Sequence, residues 1–234
     1  MNTKYWDLSL TLIISFIVFV FFTVLQSAVL LFLRPENLEI STNGYENLAY
    51  ANLGAISSVS SFFGILAILF FIYFKKASII DYLNLYLPTF KITVSFIFLS
   101  FLTMFFMEFL SRGYPDFFHT DFVIESYKQA KNLPLFYLGV VILGPVFEEF
   151  LFRGFLFKGL ENSFVGGHGA VFISASIFSL VHIQYGFLII LFILFPMAIL
   201  FGYARLKSKS LLLPILLHCI NNFLTCLVTH FEIY

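Results

Sequence analysis

The stretch LSLTLIISFIVFVFFTVLQSAVLLFL, Leu8 to Leu33, contains no Asp, Glu, Lys or Arg. The hydrocarbon core of a bilayer is crossed by roughly 20 mostly apolar residues in a helix, and this run is longer than that. It is too long for a signal-peptide core and lacks a small-residue cleavage site, so it reads as a retained first span. Further stretches free of the four charged residue types run from Asn47 to Phe74, Ile92 to Met107, Asn132 to Phe147, Asn162 to Ala204 and Ser210 to Phe231. The fifth of these six stretches is long enough to require one reversal, and Gln184-Tyr185-Gly186 is its natural turn. The pattern predicts an all-α, polytopic transmembrane bundle of about seven spans: 8–33, 52–74, 92–111, 133–158, 168–184, 187–205 and 211–231.

Composition points the same way. Hydrophobic residues make up 60% of the 234, and charged residues only 11%, against about 25% in a soluble domain. Mean hydropathy is +0.97. Such a chain cannot cover a surface facing water, and lipid is its solvent. The formal net charge of zero argues against nucleic acid as a partner, because phosphate binding needs a basic excess. The 35 Phe residues read as lipid-facing bulk and helix packing. Cys219 and Cys226 are seven residues apart in one apolar segment, about 10 Å along a helix and too far for a disulfide.

Three linkers orient the bundle. Residues 34–51 are acidic through Glu36, Glu39 and Glu46; residues 75–91 carry Lys75, Lys76 and Lys91; residues 112–132 are mixed. The positive-inside rule places Lys4, Lys75, Lys76, Lys158, Arg205, Lys207 and Lys209 on one side, which gives an N-in, C-out expectation.

Against this background stands Gly144-Pro145-Val146-Phe147-Glu148-Glu149-Phe150-Leu151-Phe152-Arg153. A charge at the centre of a membrane helix costs about 2.5–3.5 kcal/mol on insertion scales, so these charges must face protein or a hydrated cavity. Glu149 and Arg153 are four apart and can pair on one helix face. Glu148 is turned about 100° from them and is left free to act as a base. His182 ends Phe178-Ser179-Leu180-Val181-His182, and His218 and Asn222 share one face of the last span. Glu148 assisted by His182 could activate water, while His218 and Asn222 could donate to an oxyanion. Glu108 and Arg112 read as an interfacial ion pair, and His119, His168 and His230 receive no role.

Glu-Glu-x-x-x-Arg, then Phe-x-x-x-His, then His-x-x-x-Asn, in this order on apolar segments, resembles the CAAX protease and bacteriocin-processing (Abi) family, which includes type II CAAX prenyl endopeptidases. The resemblance covers residues 133–228, a catalytic domain following N-terminal spans and linkers over 1–132. It implies an all-helical intramembrane endopeptidase without a required metal or other cofactor. By the same resemblance Glu148 is the water-activating base and His182 its partner, His218 and Asn222 form the oxyanion site, and Glu149 with Arg153 supports the architecture. The implied partners are the lipid bilayer and a peptide or membrane-protein substrate, lipidated or not; the implied location is a bacterial cell membrane. Three readings compete: a metal-dependent protease, although no His-Glu-x-x-His helix is present; a non-enzymatic immunity or scaffold protein; and a proton-coupled transporter, for which no internal repeat is found.

One depth does not fit a set of simple full spans. His182, counted from residue 168, lies about 21 Å in from the lysine-rich side, deeper than His218. A break at Gly144-Pro145, or a dip at Gly166-Gly167-His168-Gly169, would relieve this.

Overall fold

A computed structural model describes residues 5–36, 41–118 and 121–233; Lys4, Glu39 and His119 lie outside the described residues. All regular structure among the described residues is helical. In chain order the helices are α1 (Leu8–Phe32), α2 (Thr42–Phe74), α3 (Ile79–Leu83), α4 (Phe90–Gly113), α5 (Pro115–Phe118), α6 (Asp121–Lys128), α7 (Leu133–Glu161), α8 (Gly166–Leu180), α9 (Phe187–Ser208) and α10 (Leu212–Ile233). Six of them, α1, α2, α4, α7, α9 and α10, are long and apolar enough to cross a membrane. The chain is a multi-pass membrane protein.

The expected fifth span is the exception. α8 has 15 residues, about 22 Å of helix, short of a full crossing. Its first turn is formed by Gly166-Gly167-His168-Gly169, the segment expected to dip. His182 lies beyond its C-terminal end, on a turn that continues as a 3-10 segment, Ile183–Tyr185. Gly186 then reverses the chain with φ 85°, a left-handed value that glycine adopts without strain. Gly144-Pro145 does not break α7. Proline has no N–H and its ring crowds the carbonyl four residues back, and α7 accommodates this with a π-helical stretch, Tyr137–Leu143, just before it. A second π-stretch, Phe150–Leu156, follows the two glutamates. α9 repeats the arrangement, with π-helix over Ile190–Leu194 ahead of Pro196.

Local chemistry sets the helix starts. Asp7 caps α1 by accepting from the Leu10 N–H, Ser41 caps α2 through Gly44, and Asn132 caps α7 through Leu135. One end of the bundle gathers the basic positions. Lys75 lies over the Trp6 ring at 4.7 Å and Lys158 over Tyr5 at 5.0 Å, while Asn84 Nδ2 donates to the Lys209 carbonyl at 3.2 Å. At the opposite end α6 packs with α2 and α10. Arg112 and Glu108 pair on the exposed end of α4.

α7 is the central element. Phe147, Leu151, Phe155 and Phe157 on it are buried with Ile68 and Ile72 of α2, Ala175 and Phe178 of α8, and Ala198 of α9. Phe16, Phe62, Phe98 and Phe105 face outward, where lipid would be. α2 approaches α7 through small residues. A Cβ built on Gly139 would stand 2.5 Å from the Gly54 carbonyl oxygen, and the Ser57 hydroxyl donates to the Gly139 carbonyl at 2.9 Å. Close backbone approach of this kind is how membrane helices gain packing energy where lipid supplies no hydrophobic drive. Gly139→Val is therefore expected to destabilise the protein by about 1–3 kcal/mol, read as a lower midpoint of thermal unfolding in detergent. Gly113→Ala, whose Cβ meets nothing within 4 Å, should leave that midpoint unchanged.

Candidate active site

Three side chains on α7 meet residues from α8, α9 and α10 in the middle of the bundle. Glu149 and Arg153 are both fully buried and form an ion pair, Nη1 to Oε1, at 3.0 Å. Arg153 Nη2 donates to the Ala198 carbonyl of α9 at 3.1 Å. The guanidinium lies 4.4 Å above the ring of Phe178 and 5.8 Å from that of Phe201, so cation–π attraction answers the faces that hydrogen bonds leave.

His218 of α10 stands between the two carboxylates. Its Nδ1–H donates to Glu149 Oε1 at 2.9 Å, and its Nε2 is 3.7 Å from Glu148 Oε2. Phe178 meets its ring edge-on at 5.9 Å, and Phe201 lies tilted against it at 5.3 Å. The two glutamates are thus unequal: the Glu149 side chain is 0% exposed and that of Glu148 23%. The 100° offset between adjacent helical residues puts one carboxylate into the packed core and leaves the other at its edge.

Asn222, one turn along α10 from His218, donates through Nδ2 to the Val140 carbonyl at 2.9 Å. That carbonyl belongs to the first π-stretch of α7. An amide nitrogen has two hydrogens, so Asn222 keeps a second donor. His182 Nδ1 lies 2.7 Å from the Phe178 carbonyl. A carbonyl only accepts, so Nδ1 carries the hydrogen and, in the neutral ring, Nε2 is an acceptor. Among the described residues, no hydrogen bond joins His182 to Glu148; Phe178, whose ring centroid is 4.6 Å from that of His182, packs between His182 and the Arg153–His218 cluster.

Several residues here carried no individual signal in the sequence. Arg205, assigned by sequence to the lysine-rich side, is 2% exposed, and its Nε donates to the Arg153 carbonyl at 3.0 Å. The carbonyl lies in the second π-stretch, so Arg205 braces the backbone that carries Arg153. Tyr185 packs against His182, and burial, then the nearby charge on Glu148, push its hydroxyl above the ordinary tyrosine range. Phe201 and Ala198 were indistinguishable from other apolar residues of α9. Cys219 and Cys226 are both free thiols on α10. His168 faces the Tyr203 hydroxyl at 3.2 Å, away from these groups. Among the described residues, no cluster of three or more His, Cys, Asp or Glu side chains has the arrangement of a metal site.

Known proteins share this region. Residues 130–224 match the family described as type II CAAX prenyl endopeptidase Rce1-like. The chain is 34% identical over 98 residues to the "Membrane-embedded CAAX protease MroQ" of Staphylococcus aureus (strain USA300), covering 40% of this chain and 38% of that one. It is 36% identical over 93 residues to the "Uncharacterized 24.3 kDa protein" of Escherichia coli, covering 39% of this chain and 42% of that protein. The matches therefore span about two fifths of the length of these curated relatives. No solved structure matches. The matched region contains Glu148, Glu149, Arg153, His182, His218 and Asn222, and residues 130–224 are similar to type II CAAX prenyl endopeptidases of the Rce1-like family.

Proposed function

We propose that this protein is a membrane-embedded endopeptidase that hydrolyses a peptide bond with a water molecule activated by Glu148. The observation that carries the reading is the position of His218. One of its ring nitrogens is tied to the buried Glu149, and the other faces the partly exposed Glu148 at 3.7 Å. That gap is too wide for a direct hydrogen bond and suits a bridging water or a substrate oxygen.

In the proposed reaction Glu148 takes a proton from water while His182 Nε2 accepts the hydrogen bond of the water's other hydrogen. The hydroxide adds to the carbonyl carbon of the substrate. The oxygen that becomes negative accepts from the second Nδ2–H of Asn222 and from a protonated His218 Nε2. Glu148 then returns its proton to the departing nitrogen, the C–N bond breaks, and a carboxyl and an amine result. Glu149 and Arg153 touch none of the reacting atoms and hold His218 and α7 in place. The substrate class is a peptide or membrane-protein segment that reaches the bilayer, and the curated relative's name favours a C-terminal CAAX-type segment among these.

Peptide termini in membranes from cells expressing the wild-type protein or Glu148→Gln at matched levels test the reading. New termini that need Glu148 establish the protease and name its substrate; identical termini from two folded proteins would overturn it in favour of a binding or immunity role. With a substrate in hand, Glu148→Gln should lower the cleavage rate at least about 100-fold, and Asn222→Ala about 100- to 1000-fold. Glu148→Gln should leave the unfolding midpoint near that of the wild type, while Asn222→Ala, which also gives up the bond to the Val140 carbonyl, should lower it modestly. Arg153→Met should do the reverse of a purely catalytic loss: it leaves the buried Glu149 without its cation and costs about 3–5 kcal/mol of stability, visible as a large fall in the unfolding midpoint in detergent.

A further inference from the structure

His182 sits on a turn, past the last residue of α8, with φ −98° and ψ 34°. Helical packing therefore does not fix its ring, and three contacts do. Nδ1 is tied to the Phe178 carbonyl at 2.7 Å. One face of the imidazole lies against Phe178, 4.6 Å between centroids. Tyr185, three residues on, stacks against the ring at 6.1 Å with 28° between planes.

Tyr185 is itself held. The 3-10 turn brings it back to His182, and its N–H donates to the His182 carbonyl at 3.1 Å. Phe122 of α6 meets its ring edge-on at 5.3 Å and 78°, a favoured aromatic geometry. Phe122 is met in turn by Tyr50 of α2 at 5.9 Å and 68°. A row of rings thus runs from α2 through α6, which lies in the linker between spans, to the candidate water-activating histidine.

We propose that Tyr185 is a positioning residue: its ring, braced by Phe122, holds the His182 imidazole with Nε2 turned toward the attacking water. This rests on reading Glu148 and His182 as the water-activating pair. The aromatic face does the work, and the hydroxyl is dispensable. α6 then contributes to the site through this brace. A peptide bond is attacked only within a narrow range of geometries, and a displacement of about 1 Å can cost about 100-fold in rate. An imidazole on a mobile turn loses that alignment even when every group in contact with substrate is intact.

Two measurements on the full-length protein in detergent or nanodiscs test this. The first does not depend on proteolysis. With the five histidines labelled with carbon-13 at Cε1, the His182 resonance is assigned by its loss in His182→Gln. Tyr185→Leu removes the stacked ring and should move or broaden that resonance, while Tyr185→Phe should leave it in place. The second is kinetic. Tyr185→Leu should lower kcat about 10- to 100-fold with KM little changed, Tyr185→Phe should restore wild-type kcat, and Phe122→Leu should act in the same direction as Tyr185→Leu. If Tyr185→Leu does not accumulate, Phe122→Leu carries both expectations.

An unshifted His182 resonance in Tyr185→Leu, or wild-type kcat in that variant, overturns the proposal. So do equal losses in the Phe and Leu variants, which would give the role to the hydroxyl. Cleavage that survives Glu148→Gln instead overturns the protease reading, and the resonance of His182 still decides whether Tyr185 positions it.

Discussion

A guanidinium at the depth of lipid chains keeps its charge and all five N–H donors, so protein must answer it. Arg153 answers most of that demand with the Glu149 carboxylate on its own helix, the Ala198 carbonyl on α9 and the faces of Phe178 and Phe201, while its Nε has no hydrogen-bond partner among the described residues. The answers come from three elements, so satisfying one cation pins α7, α8 and α9 together. Glu149 extends the set to α10, because the oxygen that takes Arg153 also takes His218. A buried ion pair is weak evidence of net stabilisation. Its value here is geometric: it fixes which way His218 points, and therefore where its second nitrogen meets Glu148.

The backbone of α7 takes part as much as its side chains. Prolines and π-stretches occur together twice, before Pro145 and before Pro196, which keeps each helix continuous where a proline would otherwise kink or break it. Carbonyls within the π-stretches of α7 then accept hydrogen bonds from other elements: Gly139 from Ser57, Val140 from Asn222, and Arg153 from Arg205. In a bilayer no water competes for these oxygens. Asn222 is oriented by one such bond with half of its amide still free to donate, and Arg205 is drawn into the core by another.

The polar centre is shielded unevenly. Glu149 and Arg153 have no exposure, whereas Glu148 keeps about a quarter of its side-chain surface accessible. His182 and Tyr185 lie on the rim beside α6. Rigid groups in the interior and adjustable ones at the edge make a site that can exchange a substrate without dismantling the ion pair that shapes it.

The sequence by itself determined that this chain lives in lipid, that it is helical, and that Glu149 and Arg153 pair. These follow from composition, from run length against bilayer thickness, and from the helical repeat, all of which are local. It also singled out Glu148, His182, His218 and Asn222, because ionisable and amide groups on apolar segments need a reason to be there. Tertiary structure decided the rest. α8 stops short of a crossing, so the fifth of the seven expected passes is a partial one and His182 belongs to a turn. His218 sits between two carboxylates, a relation set by the packing of α7 against α10 across 69 residues of chain. Arg205 is packed among helices at its end of α9 instead of lying open, and the sequence could not show this, since its partner is a backbone carbonyl and every residue carries one. Tyr185 and Phe122 are two aromatics among many, and only their placement in three dimensions sets them beside the candidate site.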